Sequence, residues 1–533
     1  MTRRLERRRR RVCAALSALA CAIGLGALAG AATAQSCDCE PYTFLLSSSA
    51  GGGIPNGPSR NAAISQDARI GRVAAFESDA SNIVSGDTNG RTDVFVVFRK
   101  SPWGTNGTRW RPGARRLVTR SPRGFPANGP SYQPAVSGNV EVAPKCVAFV
   151  SRASNLVYGD TNGKADAFVY YLSTGEIRRV SVNSSGKQSN GTTYDVSVDG
   201  RCERVAVSSD ASNLALTSTS RSQWKSAVTS APPGGTTQVY SRFIAEPKYS
   251  DSGLRGLTFL ASATNGRPGN RDSFDTTMPS RRGDAVGFTS RATNLASGDR
   301  SSISDVYWRQ MPLVRISSGL TPRLRTVLVS RSRSGTGGNG ASSQPVASGN
   351  HYDSPSGSFI AFQTLSTDVG GAFRDTNGVS DVVRTNVKGT QLTSRYASNG
   401  QYCDTLGNGP SQRPAISEAG TTVLYDTDAT NFTCYASGRD RNGGIADVFV
   451  WTESRLGSIL WSFDTNKGAL AMDSRNPATS ARTNYYMWET RDPFTDIALA
   501  SRSGWYADPA AKRTEAAQDE RYSQVYMRYG GPE

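Results

Sequence analysis

The chain has 533 residues, including 54 Gly and 25 Pro, and its many turn-forming residues favour short strands over long helices. Its formal net charge of +17 includes an arginine run at the N-terminus, and the remaining positive excess is scattered and comes mainly from arginine. Nucleic-acid-binding proteins concentrate such charge on one face, so we expect no nucleic-acid partner. The single histidine, His351, excludes metal sites built from several histidines.

Residues 1–34 are predicted to be a signal peptide. An arginine run precedes an apolar stretch from Val12 to about Gly30, and Ala32-Thr33-Ala34 precedes Gln35. Because the apolar stretch is long for a signal, an uncleaved N-terminal anchor is the alternative. We expect an exported protein, periplasmic or secreted, with no membrane span after cleavage and with residues 35–533 as one domain.

A repeat organises the mature chain. Its core reads VAAFESDASNIVSGDTNGRTDVFVV from Val73 and recurs closely from Val147. Weaker copies begin at Val286, Ile360 and Val423, and a degenerate copy begins at Val205. A seventh copy is indicated near the C-terminus, where Gln524 to Tyr529 replaces DVFVV. The units are predicted to start near residues 56, 128, 190, 265, 339, 408 and 474.

Each unit offers four short strands, called a (as in PAVS), b (VAFVS), c (DVFVV) and d (RRVSV) in chain order. Four strands in a unit of roughly 60 to 75 residues fit a propeller blade with enlarged loops. The sequence therefore predicts an all-β fold, a single β-propeller of seven four-stranded blades, with six as the alternative. Tyr42 to Gly52 resembles a strand d, so we expect the N-terminal strand to complete the last blade and close the ring.

The SNLVxGDTNGxxDVFV core, with its RVSV and NG…PxIS segments, resembles the WD40-like (PD40) repeats of exported TolB-type propellers. The resemblance covers roughly residues 42 to 530. It implies a propeller fold. It implies little about function, because propellers host many unrelated activities.

Four units carry D-x-N-G-x-x-D, or a version one residue longer, between strands b and c. Carboxylate and carbonyl oxygens on a tight glycine loop are ligands that Ca²⁺ prefers. The same residues also suit a plain turn, in which Asn-Gly supplies the positive φ and Asp caps the loop. Both interpretations stay open, and calcium is the only cofactor expected. The candidate ligands are Asp87, Asn89, Asp93, Asp160, Asn162, Asp166, Asp375, Asn377, Asp381, Asp440, Asn442 and Asp447.

Antiparallel blades place the b–c and d–a loops on one side of a propeller, here called the loop-rich face, and the a–b and c–d loops on the other. Ser101 to Arg111, which contains Trp103 and Trp110, is predicted to be a d–a insertion on the loop-rich face. Exposed aromatics beside arginine are typical of protein or glycan contacts, and packing of a long loop is the alternative.

Six cysteines remain after the signal peptide, and an even number in an oxidising compartment predicts disulfides. Cys146 and Cys202 stand near the start of strand b in neighbouring units. Cys403 and Cys434 stand in a d–a loop and the following b–c loop, on the same face. These are the two predicted pairs.

Two classes of function follow. The first is an exported, non-catalytic propeller that holds an envelope or extracellular protein or glycan on its loop-rich face, with calcium ordering the loops. The alternative is a hydrolase or lyase that acts on polysaccharide or peptide through carboxylates of that face. We predict no catalytic residue: the chain has no G-x-S-x-G elbow, and its one histidine lies in an a–b segment on the opposite face.

Overall fold

The computed structural model describes residues 42–67, 71–100, 110–215, 231–245, 254–281, 283–299, 301–311, 313–316, 319–322, 325–349, 358–369, 375–386, 390–392, 406–432, 443–453, 457–464, 468–469, 472–480, 485–490 and 522–529. Within these ranges every regular element is a strand, and the strands form seven four-stranded antiparallel sheets. No helix of the described part is therefore long and apolar enough to cross a membrane.

Each sheet is one blade, with its strands a to d in order. Blade 1 contains Ser59–Ile64, Val73–Ser78, Asp93–Arg99 and Pro112–Leu117. Blade 2 contains Ser131–Val136, Cys146–Ser151, Asp166–Tyr171 and Ile177–Arg179. Blade 3 contains Thr193–Val198, Arg204–Ser209, Gln238–Phe243 and Thr258–Leu260. Blade 4 contains Ser273–Thr277, Ala285–Ser290, Asp305–Gln310 and Arg325–Leu328.

The remaining blades follow the same plan. Blade 5 contains Ser342–Ala347, Ile360–Thr364, Asp381–Thr385 and Thr390–Leu392. Blade 6 contains Ser411–Ile416, Thr422–Thr427, Asp447–Thr452 and Gly457–Leu460. Blade 7 contains Ser474–Thr479, Tyr485–Thr490, Gln524–Tyr529 and the N-terminal strand Tyr42–Leu45. Three small hairpins join Ala263–Thr264 to Arg267–Pro268, Leu313–Ile316 to Gly319–Pro322, and Phe463–Asp464 to Gly468–Ala469.

The N-terminal strand closes the ring. Tyr42–Leu45 pairs antiparallel with Gln524–Tyr529, with Tyr42 opposite Tyr529 and Leu45 opposite Tyr526. The degenerate copy at Val205 forms the second strand of blade 3. The seven-bladed all-β prediction is therefore confirmed, and the six-bladed alternative is wrong.

The core lies between blades. Strands b and c are buried on both sides because each blade is covered by two neighbours, which explains their near-continuous apolar sequences. One cluster packs Phe76 and Phe95 of blade 1 against Met487 and Met527 of blade 7. A serine ends most b strands because its hydroxyl bonds to the first residue of strand a, as between Ser131 and Ser151 at 2.8 Å.

The predicted d–a insertion at Ser101 to Arg111 is wrong. Strand d of blade 1 is Pro112–Leu117, which pairs with strand c through Phe95 and Leu117. Lys100 and Trp110, the described residues on either side of positions 101–109, therefore lie between strands c and d, not between strand d and the next strand a. Trp110 is buried, with its indole N–H donating to the Gly71 carbonyl at 2.6 Å and its ring stacked on Phe44. Trp103 lies outside the described residues.

Candidate functional site: the loop-rich face and the central channel

The D-x-N-G-x-x-D loops are closed by their asparagine. In blade 1 the Asn89 amide donates to Asp93 Oδ2 at 2.7 Å and to the Ala127 carbonyl at 2.9 Å. Its Oδ1 accepts the Arg91 N–H at 2.9 Å, and Gly90 has a φ of 62°. The asparagine thus shapes the b–c turn and ties it to the following d–a loop.

The same bonds recur in two more blades. Asn162 donates to Asp166 and to the Ser189 carbonyl at 2.9 and 3.0 Å. Asn377 donates to Asp381 and to the Gly407 carbonyl at 3.1 and 3.0 Å. In blade 6, Asp440 and Asn442 lie outside the described residues, and Asp447 accepts the Ser462 hydroxyl at 2.7 Å. Wherever they are described, these loops have the turn geometry.

The two aspartates of each loop are buried near one another. Burial, with a smaller contribution from the charge of Asp87, raises the pKa of Asp93 to about 7, although the Thr119 hydroxyl and Asn89 both donate to its carboxylate. Burial also raises the pKa of Asp87, Asp160 and Asp166. Among the described residues, no three His, Cys, Asp or Glu side chains come together as a metal-binding group.

A second network clamps each d–a loop to the next b–c loop. Asn128 receives a bond from the Ser154 N–H at 2.9 Å, donates through its side chain to the Ser154 hydroxyl at 3.0 Å, and donates its own N–H to Asn155 at 3.0 Å. Gly129 follows because a Cβ there would lie 2.8 Å from the Arg152 backbone. The repeated Asn-Gly and Ser-Asn signatures are therefore two halves of one clamp.

Large exposed apolar side chains collect on this face. Within the described part of the chain six are exposed, and five of them lie in b–c loops, in d–a loops or at the start of a strand a. They are Phe125 (65% exposed), Tyr158 (75%), Tyr194 (46%), Ile303 (38%) and Leu365 (54%). Ile459, on the outer strand of blade 6, is the sixth.

The central channel is lined by the third and fourth residues of the inner strands. Every strand a has a bulge at or next to its third residue, and in six blades this residue has a positive φ. The third residues are Asn61, Gln133, Asp195, Asp275, Gln344, Arg413 and Asn476, and they surround a cavity of about 370 Å³. Asp195 is the one whose φ is not positive.

Side-chain acceptors link these bulges from blade to blade. The N–H of Gln133 donates to Glu77 of the preceding blade at 2.7 Å, and that of Asn476 donates to Asp426 at 3.0 Å. The Asn61 N–H donates to Glu489 at 2.5 Å, across the closure of the ring. We call this series the channel belt. In its other members the N–H groups of Asp275, Gln344 and Arg413 donate to the side chains of Asp195, Asp275 and Gln363, respectively.

The acidic members of the channel belt differ in whether an arginine pairs with them. Arg413 pairs with Asp426 at 2.6 Å, and Arg60 pairs with Glu77 at 2.8 Å. Asp195 instead accepts hydrogen bonds from Ser208 and Thr276, and burial raises its pKa. Burial raises the pKa of Asp426 to about 6. It raises that of Glu489 to about 7.

The sequence analysis missed the belt. Its acceptors include the fifth residue of strand b in the blades where that residue is Glu77, Asp426 or Glu489. This recurrence is visible when the repeat cores are aligned. The role of this fifth residue as a hydrogen-bond acceptor could not be predicted, because each of these side chains bonds to strand a of the next blade.

Of the two predicted disulfides, the structure contains Cys146–Cys202, with a Cα–Cα distance of 6.1 Å. The bond joins blade 2 to blade 3. Cys403 and Cys434 lie outside the described residues, as does His351.

No protein-family model and no curated protein matches this sequence. Among solved structures, TolB from Acinetobacter baumannii is 12% identical, with a TM-score of 0.33, over 79% of this chain and 66% of that one. An oligogalacturonate lyase from Vibrio parahaemolyticus is 9% identical, with a TM-score of 0.40, over 92% and 97%. An acylaminoacyl peptidase from Pyrococcus horikoshii is 10% identical, with a TM-score of 0.39, over 82% and 50%. Such similarities carry no conclusion about activity, and the propeller fold rests on the seven sheets themselves.

Proposed function

We propose that this chain is an exported, non-catalytic propeller that binds an extracellular or envelope protein through its loop-rich face. The observation that carries the proposal is the gathering of exposed apolar side chains on that face, led by Phe125 and Tyr158. Exposed aromatic and aliphatic groups concentrated on one side of a protein mark interaction surfaces. The Cys146–Cys202 disulfide supports an oxidising compartment.

Hydrogen bonds between neighbouring loops fix the positions of the exposed side chains on this face. Asn128 fixes the d–a loop of Phe125 to the b–c loop of Tyr158 through Ser154 and Asn155. Loops held in place by such bonds lose little conformational entropy on binding, which favours affinity. Phe125, Ile303 and Leu365 offer no hydrogen-bonding side chain, so they suit a protein surface better than a glycan.

An affinity capture tests the proposal. The mature chain from Gln35 is immobilised and exposed to envelope and culture extracts, beside a Phe125→Asp/Tyr158→Asp variant. Ile459→Asp is the matched control, since it places the same charge at an exposed apolar residue away from the face. We expect one dominant protein to be retained by the wild type and the control, and at least tenfold less of it by the double variant. Equal retention by all three, or no retained protein, contradicts the proposal.

A hydrolase or lyase acting on polysaccharide or peptide is the second candidate. The observation in its favour is the pair Asp195 and Asp275, two carboxylates in the channel wall whose pKa values burial raises, that of Asp275 also through the charge of Asp195. Turnover of a polysaccharide or peptide panel that Asp195→Asn or Asp275→Asn abolishes would establish it. Binding without turnover leaves the binding propeller.

A further inference from the structure

Blades 1 and 2 each bury two aspartate carboxylates, but the side chains around the two pairs differ. Both carry the loop sequence GDTNG, and both bury one aspartate of the b–c loop and a second at the start of strand c. Two carboxylates in one buried site repel each other unless a cation or a proton lies between them. The residues of strands c and d that lie beside the pair differ from blade to blade.

In blade 2 the cation belongs to the protein. Arg179, opposite Phe168 in the register, places Nη1 at 3.2 Å from Asp160 Oδ1 and 3.7 Å from Asp166 Oδ2. Both carboxylates are almost completely buried, and the guanidinium places one positive charge against the two of them.

In blade 1 the same register position, opposite Phe95, is Leu117. Asp87 is only 6% exposed, one of its oxygens accepts the Asn89 N–H, and its buried Oδ1 has no hydrogen-bond partner. Asp93, 0% exposed, lies beside it. The charge of Arg120 opposes part of the rise that burial causes in the pKa of Asp87 and Asp93, while its guanidinium donates to the carbonyls of Ser85, Gly86 and Gly124.

Blade 4 shows a third solution. Leu328 takes the position of Arg179, and the Tyr307 hydroxyl donates to Asp299 in place of a cation. Blade 1 has Phe95 where blade 4 has Tyr307. Neither Phe95 nor Leu117 has a side chain that could donate a hydrogen bond to Asp87. An unpaired, buried carboxylate oxygen beside a second buried carboxylate calls for a ligand of positive charge.

We propose that blade 1 binds a calcium ion between Asp87 and Asp93, at the position that the Arg179 guanidinium fills in blade 2. Two carboxylates, with loop carbonyls and water completing the shell, are the hard oxygen ligands that Ca²⁺ takes. So few charged ligands correspond to a dissociation constant on the order of 10⁻⁴ to 10⁻³ M, the range of extracellular modules. Asp375, 5% exposed with an unpartnered Oδ2, makes blade 5 a second candidate beside Asp381.

The test counts calcium ions bound to the full mature chain by equilibrium dialysis against radioactive Ca²⁺. We expect Asp87→Asn to bind one ion fewer than the wild type. Leu117→Arg, which installs the arginine of blade 2 in blade 1, should also lose one ion. Arg179→Leu should gain one ion, because it removes the built-in cation of blade 2.

Asp160→Asn is the matched control, the same substitution in a loop of the same sequence, and it should leave the count unchanged. Circular dichroism confirms that each variant is folded, and the gain in Arg179→Leu cannot come from misfolding. An unchanged count in either blade 1 variant, or a lost ion in Asp160→Asn, overturns the proposal. The proposed binding role does not enter this measurement, so either can fail alone.

Discussion

Two boundaries between blades are held in different ways. Between blades 7 and 1, Glu489 accepts the Asn61 N–H, and the N-terminal strand pairs with the last strand of the chain. Between blades 2 and 3 the corresponding fifth residue of strand b is Val150, which offers no acceptor to the belt. There the Cys146–Cys202 disulfide joins the two blades.

The difference shows that similar blades are joined by different kinds of bond at different boundaries of the ring. Among the described residues, six boundaries have a side-chain acceptor for the next bulge, and the boundary where none is described has the disulfide. Asp195, the third residue of strand a in blade 3, lies at this same boundary, and its φ is not positive. Each residue at a boundary therefore has to be judged together with its neighbour in the adjacent blade.

The disulfide should have the largest effect on stability. Replacing Cys146 and Cys202 by serine frees a loop that spans a sequence separation of 56, and we expect a loss of about 2 to 4 kcal/mol in the free energy of unfolding. Denaturant unfolding of the double variant measures it. The rate of hydrogen exchange at backbone amides should increase first in strand Thr193–Val198, which faces blade 2. An unchanged midpoint would show that the boundary does not need the bond.

The belt should make stability fall as the pH rises. Burial raises the pKa of Glu489 to about 7, so between pH 4.5 and 7 the folded chain keeps a proton that the unfolded chain has lost. Rising pH in this window then favours unfolding, at up to about 1.4 kcal/mol per pH unit for one group. Glu489→Gln keeps the acceptor but cannot ionise, so it should lose roughly 2 kcal/mol less than the wild type between pH 5 and 8. Parallel pH profiles of the two proteins contradict this.

The hydrogen bond itself should have the smallest effect. Glu489→Ala leaves the Asn61 N–H and the Asn476 amide without their acceptor. We expect a loss of about 1 to 2 kcal/mol at pH 8, since removal of a buried charge offsets part of the cost. Glu489→Gln is the control at the same pH. If alanine and glutamine behave alike, the belt bond at this boundary contributes nothing.

The sequence predicted the blades well because their signals are local. Runs such as the one from Val73, bounded by Ser and Asn-Gly, mark strands b and c within each repeat. Strand d of blade 1 was not recognised because PGARRL has no apolar periodicity, so Ser101 to Arg111 was predicted to follow strand d instead of preceding it. The belt could not be foreseen, since Glu77 meets Gln133 across a boundary, 56 residues further along the chain.

The candidate site was predicted only in outline. The loop residues Asp87, Asn89 and Asp93 are close together, as the spacing required. The exposure of Phe125 and Tyr158 follows from how loops of different blades cover one another, which no periodicity encodes. The role of Arg179 depends on strand register, which the sequence alone leaves open.

If the loop-rich face binds the partner, as we propose, hydrogen–deuterium exchange of the captured complex will locate that contact. Protection on binding should appear in the b–c and d–a loops at 79–92, 118–130 and 152–165. The a–b and c–d loops at 137–145 and 172–176 should exchange as in the free chain. Protection confined to the second set would place the partner on the opposite face and contradict the account.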